Sequence, residues 1–407
     1  MTRVAFVVPY ALPTSLRFLR AAIALPGVQV GVVAAEPLER LGEGLARRVS
    51  GHWRVEDPFD PGQLVDAVRG LERQMGAPTR LLGVLEQLQL PLALARRELG
   101  LPGLGPEAAR RFRDKALMKD ALRAAGVPCA RHCLARSPAE VRAFVDEVGY
   151  PVILKPRAGA GAQGTHRLEG PGDLAVALAA FRPGRDSPLM LEEFVCGEER
   201  SFDSVCVNGE LLWWSVSHYH PSPLEVLRND WIQWAVVLPR RLDGGAHHAI
   251  REAGARALKA LGLGTGMSHL EWFERPSGGV AVSEVAARPP GAQITTLMSY
   301  ACDADLYAAW ARLMVEERFD PPQRHYAAGA VYLRGQGSGD RVAGIRGLER
   351  AQAEVGELVV EARLPRPGQR RVGGYEGDGY VIVRHPSTEA VEEAIRTIHR
   401  RVRVELQ

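Results

Sequence analysis

Short apolar runs of strand length alternate with segments of helical spacing over the first hundred residues, and this alternation restricts the possible folds more than any other feature. Residues 4–8, 28–34 and 80–85 read as strands, and Trp53 with Val55 marks another between them. Residues 16–25, 61–74 and 90–99 have helical spacing, the last closed by Gly100. Strands interleaved with helices imply a parallel sheet covered on both faces. Such a doubly wound outline invites a dinucleotide-binding reading. V-V-P-Y-A-L-P follows the first strand where G-x-G-x-x-G would be needed, so a pyrophosphate at that helix N-terminus is not supported.

The pattern changes at Arg111. R-D-K-A-L-M-K-D-A-L-R-A-A-G-V-P reads as an amphipathic helix stopped by Gly126 and Pro128, and residues 138–148 read as a second helix. A strand then ends on Lys155 and runs into a glycine-rich turn, A-G-A-G-A-Q-G. Residues 189–217 are strand-rich and residues 246–261 helical. The apolar runs 267–273 and 279–285, separated by a turn rich in Gly, Pro and Ser, read as a β-hairpin. A D-P-P turn after Phe319 marks a boundary, and a last helix is expected near residues 389–400. The expected units are residues 1–110, 111–190, 191–320 and 321–407, a mixture of α/β and α+β.

Composition excludes several classes of function. The 51 basic and 48 acidic side chains leave a net charge of +3, which suggests neither a nucleic-acid nor a membrane-surface partner. No apolar run reaches the roughly 20 residues of a membrane span, and the N-terminus reads as a first strand rather than a signal peptide, so a cytoplasmic location is expected. Five cysteines without regular spacing argue against a disulfide framework. Cys129, His132 and Cys133 form only a weak metal signal, and His218, His220, His247 and His248 are too sparse and irregular for zinc. Trp213, Trp214, Trp231 and Trp234 read as packing residues.

The chemistry concentrates in H-L-E-W-F-E-R-P-S-G-G-V-A-V-S-E-V-A-A-R-P-P-G. Glu271 and Glu284 sit near the ends of the two hairpin strands. If they share a face, their oxygens can hold a hard cation such as Mg²⁺, with phosphates completing the shell. Arg288 would then lie ready to meet developing negative charge. Upstream, Lys155 at a strand end can reach phosphate oxygens, while Gly159, Gly161, Gln163 and Gly164 form a turn whose backbone N–H groups can approach them. Alone, this turn reads equally as a flexible surface loop, and Lys115 alone as a solvated helical lysine. In L-M-L-E-E-F-V-C-G-E-E, backbone groups at Glu192, Glu193, Phe194 and Val195 could read an adenine edge, and Glu199 could accept ribose hydroxyls.

The order of Lys115, Lys155 with its glycine-rich loop, E-E-F-V-C-G-E-E, H-L-E with His269, and S-E-V-A-A-R-P-P-G resembles the ATP-grasp superfamily. The nearest branch is that of carboxylate–amine ligases, with L-amino acid ligases and biotin-carboxylase-like enzymes. The resemblance covers most of the chain and implies a Rossmann-like domain preceding an ATP-grasp fold with a strand-rich C-terminal part. It assigns Lys115 and Lys155 to nucleotide phosphates, with the loop of residues 159–164 closing over them. It places the adenine hinge at residues 192–195, the ribose at Glu199 and Mg²⁺, or alternatively Mn²⁺, at Glu271 and Glu284. Arg288 faces the acyl centre. Many members carry an asparagine ligand two residues after the second metal glutamate, and this chain has Ala286 there. Water or phosphate oxygens would fill that place.

The implied reaction is ADP-forming ligation of a small carboxylate to an amine through an acyl phosphate, with an amino acid as donor and a homodimer as the assembly. The alternatives are a bicarbonate-using carboxylase with the same site, for which no biotin-carrier segment is present, and a nucleotide-binding module without catalysis.

Overall fold

The computed structural model describes residues 1–158, 164–229 and 231–407. Strands Thr2–Val7, Val28–Ala34, Gly51–Arg54 and Arg80–Leu82 form the expected parallel sheet, with the third strand at one edge and the fourth at the other. Val4, Ala5 and Phe6 are wholly buried, as a strand covered on both faces requires. Helices Pro61–Met75 and Gln89–Leu99 pack on one face. On the other, Phe18 of helix Pro13–Ala24 lies edge-on between Tyr307 and Trp310, at 4.7 and 4.9 Å, and ties this sheet to helix Leu306–Glu316.

Two boundaries differ from the sequence reading, and both bear on the site. The fourth strand stops at Leu82, not at 85, because the Gln89 side-chain amide donates to the carbonyls of Gly83 and Leu85. The chain then turns and presents Glu86. The helix expected to begin at Arg113 starts at Lys115 and runs to Ala124, and a helix that the sequence pattern did not reveal, Pro106–Arg113, precedes it. Asp114 between them is extended, and its carboxylate accepts from Ala116 N at 3.0 Å and Leu117 N at 3.2 Å. An N-cap therefore opens the second helix at Lys115, whose own N–H donates to Arg157 O at 2.9 Å.

Among the described residues a small antiparallel sheet comprises His132–Ala135, Leu189–Glu193, Val152–Lys155 and His166–Leu168, in that spatial order. A large antiparallel sheet runs Val280–Ala286, Gly266–Glu274, Glu198–Val207, Glu210–His220, Trp234–Leu238, Ala327–Leu333, Gly379–His385 and Val359–Arg363. Helix Gly245–Leu261 covers one part of it and helix Thr388–Arg401 another. Trp234 stacks on Tyr332 in the core, whereas Trp231, expected to pack, is 72% exposed. No helix of the described residues is long and apolar enough to cross a membrane.

Replacing Asp114 with Ala should lower stability by about 1 kcal/mol through loss of the cap. Urea denaturation of the two proteins checks this; an unchanged midpoint would show that the cap does not hold the Lys115 helix in place.

Candidate functional site

The hairpin register decides the arrangement. Glu271 and Glu284 are direct cross-strand partners and so project from the same face of the large sheet. Like charges opposite one another repel, and two cations offset them. Lys115 Nζ lies 2.8 Å from Glu284 Oε1, and His269 Nε2 lies 3.8 Å from Glu271 Oε1. His269 is two residues before Glu271 on the same strand and therefore shares its face. Its Nδ1 is 2.6 Å from Asp203 Oδ1 on the neighbouring strand, and Asp203 in turn accepts from Ser201 Oγ at 2.7 Å. Burial alone would depress the imidazole, but the Asp203 carboxylate overrides it and holds His269 up at about 9. Burial pushes Glu284 up, opposed by Lys115, while Glu271 stays below the ordinary carboxylate range because His269 outweighs its burial. Glu199 is pushed up to about 8 by burial and by the nearby Glu271 charge.

A second cluster sits on the small sheet. Ile153 pairs with Glu192 in the register, and Lys155, two residues on, shares that face. Lys155 Nζ is 2.8 Å from Glu192 Oε1; Lys119 Nζ is 3.6 Å from Glu192 Oε2 and 3.2 Å from Val282 O. Glu192 is buried, yet the two lysines hold it below the usual carboxylate range. Burial lowers Lys119, which is fully enclosed, whereas Glu192 and Glu284 outweigh burial at Lys155 and raise it. Lys119 was not among the sequence candidates. Its spacing of four from Lys115 on one helix was the available signal.

Between the two sheets lies a cavity of 530 Å³, within the range of about 300–1,000 Å³ usual for small-molecule sites. Lys115, Lys119, Lys155, Glu199, Glu271 and Glu284 stand in its wall. Phe194, Val195, Ile153, Ala130 and Phe273 form an apolar part of it. The side chains of Glu192 and Glu193 are already engaged, the latter with Arg131 Nε at 2.6 Å, and the apolar Phe194 and Val195 follow them in the cavity wall. The Arg167 guanidinium lies 4.1 Å from the Phe194 ring centroid. Gly164 has φ +70°, a conformation that suits glycine, while Gly159, Gly161 and Gln163 lie outside the described residues.

Arg288 stands beside this cavity rather than in its wall. Its Nη1 donates to Pro289 O at 2.9 Å and its Nη2 to Glu86 Oε2 at 3.1 Å; Arg113 Nη1 is 2.7 Å from the other Glu86 oxygen. Burial opposes the charge on Arg288, and Glu86 more than restores it. Glu86 and Asp203 went unrecognised in the sequence because each acts through a partner some 66 to 202 positions away. Among the described residues no set of three or more His, Cys, Asp or Glu is arranged to hold a metal. Two facing carboxylates beside a lysine-lined cavity suit a hard cation that takes its remaining oxygens from phosphates and water.

Residues 120–303 match the ATP-grasp domain family model. The chain contains an ATP-grasp domain. An uncharacterised protein of Sinorhizobium fredii is 28% identical over 82% of this chain and 70% of its own length. The L-arginine-specific L-amino acid ligase of Bacillus subtilis is 25% identical over 60% of this chain, a match that spans 59% of that ligase. In structure, the L-amino acid ligase of Bacillus licheniformis superposes with a TM-score of 0.80, covering 100% of this chain and 99% of its own at 20% identity. The chain thus shares its fold with a protein of equivalent length, and its relatives include proteins named as ligases.

The raised His269 carries a sign for stability. An imidazole that titrates near 6.5 when unfolded and about 9 when folded contributes fully below about pH 6.5, and that contribution disappears as pH climbs through about 9. Glu199, also raised, acts in the same direction. The fall in urea midpoint between about pH 6 and about pH 9.5 should therefore be smaller in Asp203→Asn than in the parent; equal slopes would remove the Asp203–His269 pair as its source.

Proposed function

We propose that the protein is an ATP-dependent carboxylate–amine ligase acting on an amino acid or similar small carboxylate. A carboxylate oxygen of the donor attacks the γ-phosphorus of ATP, the bond to the bridging oxygen breaks, and ADP leaves an acyl phosphate. An amine nitrogen then attacks the acyl carbon, loses a proton, and expels phosphate as the amide forms. The observation that carries this reading is the cross-strand pair Glu271 and Glu284 in the wall of a cavity that also holds Lys115, Lys119 and Lys155. The named ligases among the relatives support it.

Two anions must be brought together, so neutralisation and positioning supply most of the catalysis. Lys155 and Lys119 enter the cavity already matched to Glu192, a buried arrangement that orients their ammonium groups toward phosphate oxygens without leaving them bare. Lys115, paired with Glu284, exchanges part of that contact for phosphate. Glu271 and Glu284 would hold Mg²⁺, which when bound supplies charge neutralisation along the triphosphate. The apolar residues around Phe194 and Val195 exclude water from the base, and backbone groups of the hinge read its edge. Glu199 takes the ribose hydroxyls. Arg288, held in place by Glu86, stabilises the oxyanion of the tetrahedral intermediate through charge-assisted hydrogen bonds.

ADP release measured across a panel of amino acids, with and without amine acceptors, tests the assignment. Release that needs both an acid and an amine is expected; release with bicarbonate alone would point to a carboxylase. Arg288→Ala should retain a nucleotide analogue while losing about a hundredfold or more in turnover, as removal of an oxyanion donor does. Full turnover would take Arg288 out of the reaction. Glu271→Gln and Glu284→Gln should each raise the Mg²⁺ concentration needed for half-maximal rate, and unchanged metal dependence in both would contradict the cross-strand metal pair.

A further inference from the structure

Helix Gln89–Leu99, helix Leu306–Glu316 and the chain entering strand Gly266–Glu274 enclose a second cavity, of 30 Å³. A buried water needs about 10–15 Å³, so this space has room for an ion the size of a halide. It shares no wall residue with the 530 Å³ cavity. Much of its lining is apolar, Leu263, Trp310 and Met314 among it, and two arginines, Arg96 and Arg288, also line it.

Arg96 differs from the other arginines near the site. It is only 5% exposed, and its Nε donates to Leu81 O at 2.9 Å. Among the described residues no carboxylate forms an ion pair with it, and its Nη groups have no protein acceptor. Burial is the sole influence on its charge and brings it down to about 10. A guanidinium taken out of water without a counter-charge is costly, because one carbonyl dipole replaces only part of the lost hydration.

The surroundings hold this side chain in place without neutralising it. A Cβ at Gly103, where φ is +135°, would fall 3.0 Å from Arg96 Nε, so glycine there lets the chain lie against the guanidinium. Glu86, in the turn before the helix that carries Arg96, is already shared by Arg113 and Arg288. Thr265, also in the wall, accepts from Asn208 N at 3.0 Å through Oγ1, which leaves its hydroxyl proton to donate.

We propose that this small cavity binds one monovalent inorganic anion of chloride size as the counter-ion of Arg96. The apolar part of the wall lowers the local dielectric and strengthens the attraction between the ion and the guanidinium, and Thr265 supplies a further donor. A water molecule fits the space but brings no charge, and leaves Arg96 uncompensated. The anion also lies beside Arg288 and offsets the repulsion between the two arginines. Organic acids such as gluconate are too large to enter. The site does not depend on the ligase reading, because it rests on the packing of the parallel-sheet side of the molecule against the large sheet.

Two measurements on the full chain decide it. Thermal unfolding is followed in mixtures of sodium chloride and sodium gluconate at constant ionic strength. An ion that binds only the folded chain stabilises it by mass action, so Tm should rise with chloride to a plateau about 2 °C above its value in gluconate. Arg96→Met, which keeps much of the side-chain volume and removes the charge, should lose this increment. Equal Tm in the two salts, an increment that climbs without a plateau, or one of the same size in Arg96→Met overturns the proposal. The second measurement needs no variant and stands even if Arg96→Met does not fold. Crystals of the parent protein grown in sodium bromide should show an anomalous bromide peak beside the Arg96 guanidinium. A cavity that holds only water, with bromide confined to the surface, overturns the proposal as well.

Discussion

Two carboxylates face each other across an antiparallel pair of strands, and the rest of the site is arranged so that this is tolerable. Directly opposed like charges destabilise a sheet, and burial makes the repulsion worse. The protein meets it with a lysine from an independent helix on Glu284 and an imidazolium on the same strand beside Glu271. Each of those cations has a support of its own. Asp114 caps the helix that starts at Lys115, and Asp203 holds the proton on His269. The charges therefore form a chain from the parallel-sheet side of the molecule through the hairpin into the neighbouring strand. Removal of any link leaves an uncompensated buried charge elsewhere.

The same logic explains why the lysines of the cavity are not simply solvated. Lys119 and Lys155 share one buried glutamate, and neither ammonium can leave without exposing Glu192 to an apolar surrounding. A cavity prepared in this way presents positive charge at fixed positions and reorganises little when an anion enters, the condition under which electrostatic stabilisation is most effective. Glu86 plays the corresponding part for Arg288. It reaches from the turn after the fourth parallel strand, which ends early, and thereby ties the parallel sheet to Arg288 beside the cavity.

Much of the architecture was legible in the residues. The strand that ends on Lys155 and the helix at Pro138–Val148 stand where the pattern puts them, since apolar periodicity, a Pro at the helix start and a Gly at its end act locally. The Glu271 and Glu284 pairing was also foreseeable, because two strands of known length joined by a tight turn have few registers that keep one face apolar. The break at Asp114 was not. Helical spacing starts at Arg113 and runs through it, and only the capping geometry and the bond from Lys115 N to Arg157 O set the start of the helix at Lys115. Lys119, Asp203 and Glu86 escaped notice for a related reason: a lone charged residue in an amphipathic pattern reads as solvated until a distant partner is brought to it.

By itself the order of residues determined the kinds of elements, the strand ends that carry charged groups, and the candidate set of lysines, glutamates and arginine, because these depend on local backbone preference and on spacing along one strand or helix. Only the tertiary structure decided which charge neutralises which, and that Arg288 leans on Glu86 beside the cavity. Those outcomes depend on contacts between segments far apart in the chain, and the energy of a buried charge is set by its neighbours in space.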